Sequence, residues 1–332
     1  MSRDRETFPE DEAEDFFISS PIRKTSLSGA CARSSPRFGA TVPEVDAVDE
    51  SLCRELRIAL SDLLGQPGCK PEMAPDPDAV LTVQRYGDER SCMSRFLRAR
   101  RCNAKDAEKM LRETIDFRRE HHVNSILEDP HGVEAWKSAR PFWPVTMPFF
   151  SADGSLVVYV RMPYFVNLYK DYSEEKLRTL YISMMERSLC LQRQGRRRRG
   201  QTVGEEMPPV YEVYDFEGCG VQHISSIMGG VGIMTRMLAI GQKHYPENLR
   251  KAVLLHFPSV VESVWRTAVS KVLDKRTQDK IHIFASDGRS SLPAMLGISD
   301  AQFDNLFRSI VPYSRGKGNT AIVNCTDLSS CP

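Results

Sequence analysis

Between residues 50 and 64 the apolar positions Leu52, Leu56, Ala59, Leu60, Leu63 and Leu64 recur at helical spacing, and Gly65 stands where such a helix would stop. A stretch carrying Pro67, Pro71, Pro75 and Pro77 follows. Its prolines lack the backbone N–H a helix interior needs, so it predicts an extended spacer. Helical spacing returns with Met93, Phe96 and Leu97, and again with Ala107, Met110, Leu111 and Ile115. Asn103 is placed to cap the second of these helices, and Arg95, Arg98, Arg100, Arg101 and Lys105 crowd the join.

From about Trp136 the period shifts toward strands alternating with helices. Phe149-Phe150, the turn Ser151-Ala152-Asp153-Gly154 and the run Leu156 to Val160 read as a hairpin. Ser173 opens a helix expected to reach about Gln194, with Glu174 and Glu175 in its first turn, where negative charge suits the helix dipole. Val210 to Tyr214 reads as a strand, His223 to His244 as a long Gly- and Met-rich helix, and Lys251 to Phe257 as a strand. Ser259 to Val272 then predicts a helix, Lys280 to Ala285 a strand, and two further helical segments end near Val311. This alternation implies an α/β domain with a largely parallel or mixed sheet and crossover helices. The first 48 residues, rich in Ser, Pro, Arg, Asp and Glu without periodicity, predict a disordered regulatory tail. Residues 314–332 predict a flexible C-terminal tail.

The 332-residue chain carries a net charge of +1, so global charge points to no nucleic-acid partner, and any electrostatic argument must be local. Nine cysteines, an odd number without a CxxC pair or zinc spacing, suggest free thiols in a reducing compartment. The acidic N-terminus shows no apolar segment of a secretory signal. The most apolar run, Ile227 to Gly241, is interrupted by Arg236 and four glycines and reads as too short to span a bilayer. The expectation is a cytoplasmic protein that meets membranes only peripherally. Arg23-Lys24-Thr25-Ser26 reads either as a kinase site or as a solvated basic turn, the ordinary reading of a charge run.

Catalytic signatures do not appear. There is no Walker A loop, no GxSxG elbow and no HExxH pair, and Gly218 and Gly220 are followed by His223 where a dinucleotide fingerprint needs glycine. The seven histidines are dispersed, and a lone histidine beside a strand, such as His256 or His282, is more often structural than a ligand. No catalytic residue, no metal site and no cofactor are expected.

Three stretches together resemble the Sec14-like (CRAL-TRIO) lipid-transfer family. Arg95-Phe96-Leu97-Arg98-Ala99-Arg100-Arg101 is similar to that family's RFLRARKF signature. Tyr245-Pro246-Glu247-Asn248-Leu249 looks like its YPERL-type turn, and Leu273-Asp274 through Thr277 to Lys280-Ile281 resembles its FLDPxTxxKI segment. The resemblance runs from about Asp49 to Val311. It implies an N-terminal helical lobe (49–135, with the Pro-rich insertion) and a CRAL-TRIO lipid-binding domain (136–313) whose mixed sheet floors an apolar pocket.

The resemblance further implies a ligand and its contacts. The ligand would be one phospholipid, phosphatidylinositol by preference, its headgroup held by Arg100, Arg101, Glu247, Thr277 and Lys280. A phosphodiester wants charge-assisted donors, and an arginine offers two at once. The apolar pocket would use Met228, Ile233, Met237 and Leu238, since Met adapts to variable chains; the same stretch reads equally well as a buried core helix. A gate helix would place Val264, Trp265 and Val269 over the ligand, although a lone Trp is as readily core.

Two departures from the family pattern stand out. Val210 and Glu212 occupy strand positions where members that exchange choline lipid carry small hydroxyl residues, which puts choline-lipid exchange in doubt. Arg196 to Arg199 extend a loop and could add about 1 kcal/mol per charge of attraction to anionic membrane, serve as a nuclear signal, or be solvated. The expected function is binding and transfer or presentation of a phospholipid between membranes. The alternatives are a carrier of a hydrophobic small molecule or sterol-like ligand, or a lipid-sensing adaptor that presents inositol lipid to a phosphoinositide kinase.

Overall fold

The computed structural model describes residues 48–65, 74–139, 143, 145–165, 168–198, 200, 206–259 and 273–308. Apart from Val48, both expected tails therefore lie outside the described residues, as do the gate positions Val264, Trp265 and Val269.

The N-terminal lobe is helical: α1 (Glu50–Ala59), α2 (Ser61–Leu64), α3 (Pro77–Arg85), α4 (Glu89–Ala99), α5 (Ala104–Glu120) and α6 (Pro130–Ala139). Short polar side chains fix where these helices start. Asp49, Asp76, Asp88 and Asn103 each accept a hydrogen bond from backbone N–H groups of the first turn that have no intrahelical acceptor. Gly65 adopts φ 75°, left-handed backbone that ends α2. The end of the Pro-rich stretch differs from the expected spacer. Pro77 sits in the first turn of α3 behind the Asp76 cap, where a missing N–H costs nothing and the fixed φ favours the helix. Strand structure also begins later than expected, since Trp136 lies within α6. Leu56, Phe96, Leu97 and Leu111 from α1, α4 and α5 are fully buried in the core of this lobe.

The second part holds a five-stranded sheet in sequence order: β1 (Val145–Phe150), β2 (Leu156–Arg161), β3 (Val210–Asp215), β4 (Leu249–Leu255) and β5 (Ile281–Ile283). The β1–β2 pair is the expected antiparallel hairpin, and the other pairings are parallel. Two long helices connect the parallel strands, α9 (Glu174–Arg198) between β2 and β3 and α10 (Val221–His244) between β3 and β4. Two short helices, α7 (Met162–Phe165) and α8 (Leu168–Asp171), precede α9. A short α11 (Lys275–Gln278) leads into β5, and α12 (Leu292–Leu296) and α13 (Asp300–Arg308) follow it.

The two-residue period of the strands sorts their side chains. Val157, Tyr159, Tyr211, Val213, Val253 and Leu255 meet Leu292, Leu296, Phe303 and Leu306 of α12 and α13 on one face. On the other face Val158, Val160, Val210 and Leu254 turn toward Leu177, Leu180 and Met184 of α9. By length and a mean hydropathy of 1.4, Ile224–His244 would suffice to cross a membrane. Here that helix is the crossover between two neighbouring parallel strands.

Cys53, Cys92, Cys102 and Cys219 are free thiols, as expected; Cys190 is disulfide-bonded, against that expectation. At the carboxyl end of β3 the buried Asp215 accepts from Tyr159 Oη at 2.5 Å, with His256 Nδ1 2.9 Å away.

The end of α10 is tied into the helical lobe. His244 is buried, its ring stacks on Phe117 with centroids 4.0 Å apart, and its Nδ1 lies 3.2 Å from Thr114 Oγ1. Burial pulls its pKa down to about 4, with Lys243 acting in the same direction. The fold therefore holds His244 neutral where an unfolded chain, with a pKa of about 6.5, would take up a proton. Stability supplied by the neutral ring is complete above about pH 6.5 and is lost as pH falls toward 4, on the order of 2–3 kcal/mol. In His244→Phe the melting temperature should fall less steeply over that window than in the parent; equal slopes would contradict the assignment.

Candidate functional site: a basic mouth on an apolar chamber

Three segments converge where α10 ends. The first is the α4–α5 turn, in which Arg101 and Cys102 adopt φ 52° and 61°. The second is the Tyr245–Asn248 turn into β4, in which Glu247 adopts φ 53°, a left-handed conformation uncommon for glutamate. The third is α11, where Asp274 caps the Thr277 N–H at 2.7 Å and Gln242 Nε2 donates to Asp274 at 2.9 Å.

Ion pairs join the last two segments, and a hydrogen bond ties them to the end of α4. The Glu247 carboxylate lies 3.0 Å from Arg276 Nη1 and 3.5 Å from Lys280 Nζ. Arg276 also donates to the Arg98 carbonyl at 3.2 Å, and Lys280 to the Leu249 carbonyl at 2.9 Å. Arg98 itself pairs with Glu206. Burial pulls the Lys280 pKa below its ordinary value, and the neighbouring Glu247 opposes that shift.

These segments line a cavity of about 470 Å³. All five residues expected at a headgroup site, Arg100, Arg101, Glu247, Thr277 and Lys280, line it together. Their situations differ. Glu247 and Lys280 are tied to one another, whereas Arg100 and Arg101 are exposed on the rim and form no ion pair among the described residues. Arg276 and Gln242 belong to the same wall and were not singled out from the sequence. Arg276 sits inside the third motif, so its place beside Thr277 was the available signal.

Behind this mouth lies a second cavity of about 170 Å³ between the sheet and the helices α9 and α10. Its wall is apolar in the main, with Trp143, Leu177, Met184, Phe216 and Leu254 facing Ile233, Met234, Met237 and Leu238. Of the four α10 residues expected there, Ile233, Met237 and Leu238 line it, and Met228 does not; its side chain is 45% exposed. Five positions separate Met228 from Ile233, about 140° around a helix with 3.6 residues per turn, so it points away. The two cavities share Tyr181, Glu212, Leu238, Leu249, Leu273 and Thr277, and so adjoin one another, a charged mouth beside an apolar chamber.

Of the two departures on β3, Val210 is fully buried in the core and Glu212 faces both cavities. The Glu212 carboxyl accepts from Tyr214 Oη at 2.7 Å, and burial raises its pKa although that hydrogen bond opposes the shift.

Comparison with known proteins agrees with this architecture. The chain is 27% identical over 228 residues to a SEC14 cytosolic factor of Yarrowia lipolytica, covering 65% of this chain and 43% of that protein. It is 26% identical over 202 residues to the Protein real-time of Aedes aegypti, covering 57% and 28%. A phosphatidylinositol/phosphatidylcholine transfer protein SFH7 of Arabidopsis thaliana is 22% identical over 260 residues, covering 74% and 41%. The chain thus spans less than half the length of these curated relatives. The crystal structure of Sfh5 shares the fold, with a TM-score of 0.53 at 18% identity over 76% of this chain and 87% of that one. The CRAL/TRIO N-terminal domain model matches residues 54–113, over the helical lobe, and the CRAL/TRIO domain model matches 143–299, over the sheet and both cavities. With its helical lobe, mixed sheet and apolar chamber in that order, the chain belongs to the CRAL/TRIO family of Sec14-like proteins.

Proposed function

We propose that this chain binds one phospholipid with an anionic headgroup, phosphatidylinositol by preference, and carries it between membranes as a cytoplasmic, peripherally acting protein. The observation that carries the reading is the adjacency of a basic mouth and an apolar chamber, which share part of their walls. Acyl chains desolvated into that chamber supply most of the affinity, at about 25 cal/mol per Å² of apolar surface. The headgroup selects at the mouth. Arg100 and Arg101, free of carboxylate partners among the described residues, offer guanidinium donors to the phosphodiester. Glu247, oriented by Arg276 and Lys280, accepts from inositol hydroxyls. A zwitterionic choline headgroup would gain less from two unpaired arginines. The relatives named as phosphatidylinositol/phosphatidylcholine transfer proteins support the ligand class. The chain acts as a carrier, with no covalent step.

The test is transfer of labelled phosphatidylinositol between vesicles. Charge reversal in Arg100→Glu/Arg101→Glu removes two charge-assisted contacts of about 1.5–3 kcal/mol each before any repulsion. The rate at limiting lipid should fall more than about tenfold. An unchanged rate, with the fold intact by circular dichroism, would place the headgroup elsewhere and favour a carrier of uncharged hydrophobic molecules.

A further inference from the structure

A carboxyl group in the wall of an apolar chamber calls for an explanation. Glu212 lies on the central strand β3, whose neighbours in register are Val158 on β2 and Ala252 on β4, with Ile281 of β5 beyond. None of these can donate a hydrogen bond from its side chain. Among the described residues no cation pairs with Glu212, and its one side-chain partner is the Tyr214 hydroxyl from its own strand. Glu212 is half-buried and faces the cavities, so its unused hydrogen-bonding capacity is open to whatever molecule occupies that space.

The position is as telling as the chemistry. Glu212 is among the few residues that line both the basic mouth and the apolar chamber. A glycerophospholipid with its phosphate at the mouth and its acyl chains in the chamber has one polar feature left for the space between, the pair of ester linkages to glycerol. We propose that the Glu212 carboxyl donates a hydrogen bond to an acyl-ester carbonyl of the bound lipid and makes the protein select diacyl over dialkyl glycerolipids, an inference that rests on the carrier reading above.

Burial shifts the Glu212 pKa upward, toward the protonated form that has an O–H to give, and the Tyr214 hydrogen bond opposes that shift. Tyr214 occupies Oε2 as donor, which leaves the acid proton for the ligand. An ester carbonyl accepts that hydrogen bond well; in a dialkyl lipid no carbonyl is present, and the acid would face the ligand without an acceptor. Sites built around one hydrogen bond reject ligands that lack it more strongly than apolar pockets reject a missing methylene.

The experiment is competitive uptake of diacyl and dialkyl phosphatidylinositol from mixed vesicles by the full chain, read by mass spectrometry of the extracted lipid. The parent should favour the diacyl form by roughly tenfold, one hydrogen bond's worth. Glu212→Gln, which can donate from its amide, should keep most of that preference. Glu212→Leu should bind both lipids and prefer neither, and Glu212→Leu/Tyr214→Phe repeats the test without stranding the phenol. Equal uptake of both lipids by the parent, or a preference surviving in both leucine variants, would overturn this inference and leave the carrier reading standing. Uptake of neither lipid by the parent would overturn the carrier reading and this inference with it.

Discussion

Glu186→Ala is expected to destabilise the chain by about 3–5 kcal/mol, the cost typical of breaking a buried ion pair from one side. Glu186 on α9 and Arg118 on α5 are both about 1% exposed and bind in a two-point fork at 2.7 and 2.9 Å. The same carboxylate accepts from Tyr245 Oη at 2.9 Å and lies 3.8 Å from Arg85. One carboxylate thus joins the helical lobe, α9 and the turn that carries Glu247. Removing it leaves the Arg118 guanidinium buried without its counter-charge, whereas a surface pair loses little when broken. Urea unfolding should show a lower midpoint at an unchanged slope. Glu186→Leu/Arg118→Leu should be milder than the sum of its single substitutions, because removing both charges strands neither. A loss below about 1 kcal/mol in Glu186→Ala would mean that the pair does not hold the lobe to the sheet domain.

Leu238→Trp should close the chamber without unfolding the chain. Leu238 lines both cavities, so a larger ring there sits across the route from mouth to chamber. In the lipid-free protein the added bulk fills existing space. With acyl chains present it overpacks, at about 1–3 kcal/mol, which corresponds to roughly 5- to 150-fold weaker loading. The combination to look for is a retained melting temperature together with lost lipid uptake. Normal uptake by this variant would show that the acyl chains take another path.

Much of this arrangement was legible in the sequence because periodicity reports which face is apolar. The helices around Leu56, Phe96 and Leu111, the hairpin across Ser151–Gly154 and the cap at Asn103 follow from local chemistry alone. The gathering of Arg100, Arg101, Glu247, Thr277 and Lys280 came from a family resemblance, since nothing local says that the α4–α5 turn meets α11. Pro77 misled because a proline that breaks a helix interior also starts a helix well behind an aspartate cap. Met228 was grouped with the pocket by composition, although helical geometry already placed it on the far side from Ile233. Glu212 was visible as a departure, and the alternation of β3 set it on the same face as Tyr214. Whether that face met a packed helix or an open chamber could not be read, because core and pocket walls share one apolar pattern.

The most direct test of the central claim is native mass spectrometry of the chain after incubation with vesicles of mixed phosphatidylcholine and phosphatidylinositol, beside an Arg100→Ala/Lys280→Ala form. One phosphatidylinositol per chain, enriched over its share of the vesicles and lost in the double variant, is the predicted result. Absence of any lipid adduct on the parent, or equal retention of the same lipid by both forms, would contradict it.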